Sequence, residues 1–93
     1  MVIAKYTLVF TRQAEKDLRK IRAAGLAPKV ERLLEVLRSN PFTTYPRYEA
    51  LSGDLKGYYS RRINIHHRLL YTVDTKKHVV AIFRAWTHYD GMD

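Results

Sequence analysis

The sequence predicts an α+β domain: strand, helix, helix, then three strands, with an αα-hairpin on one face of a curved, mostly antiparallel sheet. Three observations predict it. Residues 12–40 carry two apolar stripes at helical spacing, separated by a few residues around Gly25. Residues 55–73 carry aromatic and β-branched residues on both sides of a short polar centre, the pattern of two strands and a tight turn. Residues 78–86 hold a near-continuous apolar run that suits an internal strand. Strands that precede and follow a helical pair place the helices against one sheet face.

Taken in order, residues 3–10 alternate loosely through Tyr6, Leu8 and Phe10 and read as the first strand. Thr11 is placed to cap the next helix by accepting from an exposed backbone N–H. Ala14, Leu18 and Ile21 recur at helical spacing, with Arg12, Lys16, Arg19, Lys20 and Arg22 on the other faces. Gly25 is expected to close this helix as a left-handed cap. The second helix is expected from Pro28, because a missing N–H does no harm in a first turn. Val30, Leu33, Leu34 and Leu37 form its stripe, and Asn40-Pro41 stops it.

Residues 41–53 show no period and read as a connection containing Phe42, Tyr45, Tyr48 and Glu49. Leu51 is expected to plug the core and Ser52-Gly53-Asp54 to form a turn. The hairpin of residues 55–73 follows, then a turn at residues 74–77 and the last strand. The whole chain, residues 1–93, is expected as a single domain, with 90–93 a short tail. No internal repeat, domain linker or low-complexity segment interrupts it.

Composition sets the class of partner. The 93 residues include 17 basic and 9 acidic side chains, a formal charge of +8. A surplus this large in a small domain favours an anionic partner: nucleic acid, an acidic protein or, less readily, a membrane surface. No cysteine is present, which excludes disulfides, thiolate catalysis and thiolate metal sites. No apolar run is long enough to span a bilayer, and the first ten residues lack a signal-peptide core. A cytoplasmic location and an intracellular nucleic acid target are the expectations.

The basic residues cluster on the hairpin: Lys56, Arg61, Arg62 and Arg68, with His66 and His67. A ribbon so rich in arginine looks like poor material for a buried sheet and good material for gripping phosphate, which a planar guanidinium fork fits. A merely solvated face explains the same residues equally well. The four histidines lack metal-site spacing, no Gly-rich phosphate loop occurs, and Ser60 has no nucleophile-elbow surroundings.

An acid, several arginines and a histidine remain. Internal RNA cleavage needs no cofactor: one group takes the 2′-OH proton, another protonates the leaving 5′-oxygen, and cations hold the charge on the phosphoryl oxygens. Glu49, Arg62, Arg68, His88 and Tyr89 are the candidates. Each has a structural reading too. Glu49 can be a solvated acid or the partner of Arg61; Arg62 and Arg68 can be surface charges. His88 can be a tail residue, and Tyr89 can be packing. Tyr58 and Tyr59 read as core and sheet residues.

The run from Leu51 to Tyr71, with its Gly-Tyr-Tyr-Ser-Arg-Arg-Ile and His-Arg-Leu-Leu-Tyr segments, resembles the central block of the Txe/YoeB branch of the RelE-like toxins. Asn40-Pro41-Phe42 and the late His88-Tyr89 extend the resemblance over nearly the whole chain. It implies a microbial-ribonuclease-like fold and a metal-independent, cofactor-free endoribonuclease that cleaves messenger RNA in the ribosomal A site. It also implies a cognate antitoxin of the YefM or Phd kind, operator DNA bound only together with that antitoxin, and possible homodimers. By position, the family's catalytic residues fall on Glu49, Arg68, His88 and Tyr89, and its phosphate-handling positions on Arg62, Arg61 and Lys56.

The chain departs from that pattern in three places. Tyr48 and Ala50 flank Glu49 where the family usually has prolines, Ser52 replaces a common lysine, and residues 90–93 extend past the tyrosine. A toxin-like co-repressor that binds nucleic acid without cutting it, and a pure antitoxin-interaction module, are the alternatives.

Overall fold

The computed structural model describes residues 5–86. The order is β1 (Thr7–Phe10), α1 (Arg12–Ala23), α2 (Ala27–Ser39), β2 (Tyr48–Ala50), a 3-10 turn (Gly53–Leu55), β3 (Tyr59–Arg62), β4 (Arg68–Asp74) and β5 (Val79–Arg84). This is the α+β architecture that the sequence predicts, with one strand more than expected.

Both helix boundaries follow from local chemistry. The Thr11 hydroxyl accepts from Ala14 N at 3.0 Å and donates to Phe83 O at 3.0 Å, so one side chain starts α1 and pins it to β5. At the other end Gly25 has φ +83°, a conformation that costs glycine little. Leu26 N donates to Ile21 O and Gly25 N to Arg22 O, the paired bonds that cap a helix C-terminus. Helix α2 starts one residue ahead of Pro28. Ala14, Leu18 and Ile21 of α1 and Val30, Leu33, Leu34 and Leu37 of α2 are buried, as their spacing predicts.

The five strands form one sheet in the order β1-β5-β4-β3-β2. β1 runs parallel to β5, and every other pairing is antiparallel. The helices cover one face, where Leu8, Phe10, Leu69, Tyr71, Val80 and Ile82 meet them. β2 lies in the stretch read from sequence as an unstructured connection. Three residues are too few for a period to show, yet Tyr48, Glu49 and Ala50 pair in register with Arg61, Ser60 and Tyr59. Leu51 extends that ladder through its N–H to Tyr58 O at 2.9 Å, and it is half-buried at the sheet edge rather than a core plug. His78 has φ +56° and belongs to the turn, so the last strand begins at Val79.

The largest departure from expectation is Arg61. The register Arg61↔Leu69 turns it toward the core, where it is 1% exposed. Its Nε donates to the Tyr71 hydroxyl at 3.0 Å, and Nη2 donates to the carbonyls of Pro41 and Thr43 at 2.8 Å each. Nη1 donates to Pro46 O, and the guanidinium lies 5.0 Å from the Tyr48 ring centre. Its donors are spent inside the protein, so the phosphate-binding role expected of Arg61 gives way to a structural one. Phe42, Tyr48, Tyr59 and Tyr71 form a chain of ring contacts around it. Burial pushes the Tyr71 hydroxyl up to about 12, against the opposing pull of Arg61.

A second buried polar site joins α1 to β5. Asp17 is 1% exposed. It accepts from Arg84 Nε at 2.8 Å, Ala85 N at 3.0 Å and Gln13 Nε2 at 2.9 Å. Burial alone would raise its pKa, but these donors outweigh burial and hold it below the usual carboxylate range.

Two stability measurements follow. Arg61→Met strands three carbonyls and is expected to cost about 3–5 kcal/mol in urea unfolding, with Arg61→Lys recovering only part of the loss. Asp17→Asn is expected to cost about 1–3 kcal/mol at neutral pH, a modest figure because Arg84 is partly solvated. A lowered carboxylate stabilises the fold above its unfolded value of 3.8 and loses that contribution as pH falls through its folded value. The gap between wild type and Asp17→Asn therefore stays full near neutrality and narrows only in acid.

Candidate active site

Strand alternation divides the chemistry of β2, β3 and β4 between two faces. Tyr48, Tyr59, Arg61 and Tyr71 point to the helix side. Their neighbours Glu49, Ser60, Arg62 and Arg68 share the opposite face, on which no helix packs among the described residues. Glu49 pairs with Ser60, and Ser60 with Leu70, along one row of the ladder. Arg62 and Arg68 pair directly in the row beside it. Two arginines side by side repel, so this row favours an anion lying across it.

Glu49 reaches diagonally across β3 to Arg68, with Oε1 accepting from Nη1 at 3.2 Å. The Glu49 side chain is 57% exposed and that of Arg68 is 20% exposed. With its carboxylate largely in solvent, the pair is worth on the order of 1 kcal/mol or less. Glu49 is therefore paired with Arg68 rather than with the buried Arg61.

Pro46, Arg47, Glu49, Ser60 and Arg62 line a cleft of about 410 Å³ on this face. Arg47 is exposed and was not singled out from the sequence. Its signal is a spacing of two from Glu49, which puts both on one side of an extended segment, but that signal is invisible until the segment is recognised as extended. Lys56 is exposed beyond the 3-10 turn and is not among the residues lining this cleft. Tyr58 packs its ring on Phe83 at 5.1 Å, and Tyr59 packs against the core.

The turn between β3 and β4 spans residues 63–67. Asn64 organises it, its Oδ1 accepting from the backbone N–H of His66 and His67. The His67 ring stacks on Trp86, 4.1 Å between centres, so the end of β5 comes to lie beside the start of β4. His88 and Tyr89 lie outside the described residues. Among the described residues no group of three or more His, Asp or Glu is placed to hold a metal.

Comparison with known proteins gives this arrangement a family. The profile of the YoeB-like toxins of bacterial type II toxin–antitoxin systems matches residues 10–89. The toxin YoeB of Mycobacterium bovis is 36% identical over 63 residues, covering 68% of this chain and 72% of that protein. The YoeB/ParE toxin from Agrobacterium tumefaciens superposes with a TM-score of 0.80 at 29% identity, over 89% of this chain and 99% of that one. The YoeB of a YoeB–YefM complex from Staphylococcus aureus superposes with a TM-score of 0.74 at 34% identity, over 92% of this chain and all of that one. The chain belongs to the YoeB-like toxins of bacterial type II toxin–antitoxin systems.

Proposed function

We propose that this toxin is a ribosome-dependent endoribonuclease that cleaves messenger RNA in the A site and so inhibits translation. The observation that carries the reading is the convergence of one carboxylate, Glu49, with Arg62 and Arg68 on a single open sheet face. In-line cleavage needs a base, an acid and a clamp for phosphoryl charge. Glu49 takes the proton of the ribose 2′-OH, and the 2′-oxygen attacks the adjacent phosphorus. Arg62 and Arg68 hold the charge that accumulates on the non-bridging oxygens. The bond from phosphorus to the 5′-oxygen breaks as His88 supplies a proton to that oxygen. The products are a 5′-OH end and a 2′,3′-cyclic phosphate, or the 3′-phosphate formed by its hydrolysis. Tyr89 stacks on a base, a contact that tolerates different sequences. No metal takes part in this scheme.

The Glu49–Arg68 pair fits it as a resting state. The phosphate draws Arg68 to itself, which frees the carboxylate at the moment a base is needed. The partners in this reading are the ribosome, its messenger and a cognate antitoxin. The Staphylococcus aureus relative occurs as a complex with YefM and as a dimer, which supports a YefM- or Phd-like antitoxin and a possible homodimer here. Operator DNA would be bound only with that antitoxin, in the cytoplasm.

Primer extension on stalled ribosomes carrying a defined messenger tests the reading. Wild type is expected to cut only in the A-site codon and not in a ribosome-free control. Glu49→Gln and His88→Gln are each expected to slow single-turnover cleavage by about 10²–10⁴-fold, the usual range for a lost acid or base. Arg68→Ala is expected to cost about 10²–10³-fold. Glu49→Gln is expected to melt within about 1 kcal/mol of wild type, because its ion pair is open to solvent. No cut by folded wild type bound to the ribosome would point instead to a non-cleaving binder.

A further inference from the structure

The cleft holds two polar side chains that the scheme above does not use, the exposed Arg47 and the buried Ser60. Ser60 sits at the centre of β3, between Glu49 on one side and Leu70 on the other. It is 2% exposed, and it lines the cleft together with Glu49 and Arg62. Its Oγ is shut off from water and has no hydrogen-bond partner among the described residues. A buried hydroxyl without a partner destabilises the protein that contains it, and alanine would fill the same space without that cost. Such a group gains a partner only if something enters the cleft.

The surroundings define what enters. Arg47, Arg62 and Arg68 face the cleft or its rim from three successive segments, so the entrant is an anion. Glu49 is the single acid among the described residues that line the cleft, and its ion pair to Arg68 is the contact that an anion breaks. A serine hydroxyl at the floor adds what guanidinium forks at the rim lack: a short neutral donor fixed by a rigid strand. We propose that Ser60 Oγ donates a hydrogen bond to one non-bridging oxygen of the scissile phosphodiester, as the floor contact beneath the two arginines. Loss of the Glu49–Arg68 pair opens the way to it. The inference rests on the endonuclease reading.

Ser60→Ala, with Ser60→Cys as a sulfur-for-oxygen replacement that is a weak donor, tests it on ribosome-bound messenger. The scissile linkage is made in three forms: all oxygen, and each of the two phosphorothioate diastereomers. Sulfur is a poor acceptor, so replacing the oxygen that Ser60 contacts removes the bond in wild type as well. Ser60→Ala is expected to melt at or above wild type and to cut the all-oxygen linkage on the order of 10²-fold more slowly. With one diastereomer, most of that difference between variant and wild type is expected to vanish; with the other it persists. Ser60→Cys is expected to show the same pattern. Wild-type cleavage by Ser60→Ala, an equal penalty on all three linkages, or a marked fall in melting temperature overturns the assignment of Ser60 and leaves the endonuclease reading standing. Failure of wild type to cut the all-oxygen linkage overturns both.

Discussion

The buried guanidinium of Arg61 is the interaction on which the site depends. It gathers three backbone carbonyls from residues 41–46 and the Tyr71 hydroxyl around one cation. Those carbonyls belong to an irregular segment with little ladder of its own to satisfy it. A buried cation is costly unless every donor is used, and carbonyls in a connection are costly unless something donates to them. Each solves the other's problem. The result is a fixed path from the end of α2 to β2, and Glu49 stands on β2. Removing the guanidinium would release the strand that carries the carboxylate.

The same alternation that buries Arg61 exposes its neighbours. Ser60 and Arg62 flank it in sequence and face the other way, so structure and chemistry share one strand without competing for side chains. The rings of Phe42, Tyr48 and Tyr59 close the inner side, and on the outer side the buried Leu70 packs in the same row as Glu49 and Ser60. A row of charged residues on that side is tolerable because most of the packing lies on the opposite face.

Much of this was legible in the sequence. The helices were legible because their ends carry specific chemistry, a threonine hydroxyl at one end and a positive-φ glycine at the other, and their stripes repeat several times. β2 was not, because three residues cannot display a period and its pairing partners lie at positions 59–61. Arg61 was misread as surface because arginine count alone does not set strand phase. The phase was available in Leu69 and Tyr71 across the ladder, had their register been known. Asp17 went unnoticed because an acid on a basic helix looks solvated until Arg84 and Ala85, far along the chain, are brought to it. Glu49, Arg62 and Arg68 stand out as charged residues in the sequence, but their shared face is a property of the sheet.

The parallel pairing of β1 with β5 has a consequence for the birth of the protein. Thr7 lies opposite Val79, and Thr11 reaches Phe83 across a separation of 72 residues. During vectorial synthesis the helical hairpin can assemble early from local contacts, but β1 has no partner until the last strand leaves the exit tunnel. The sheet therefore closes only after β5 has been made. A chain stopped before β4 carries Glu49 without the strand that bears Arg68, so the two charges that pair across β3 in the folded protein are then apart.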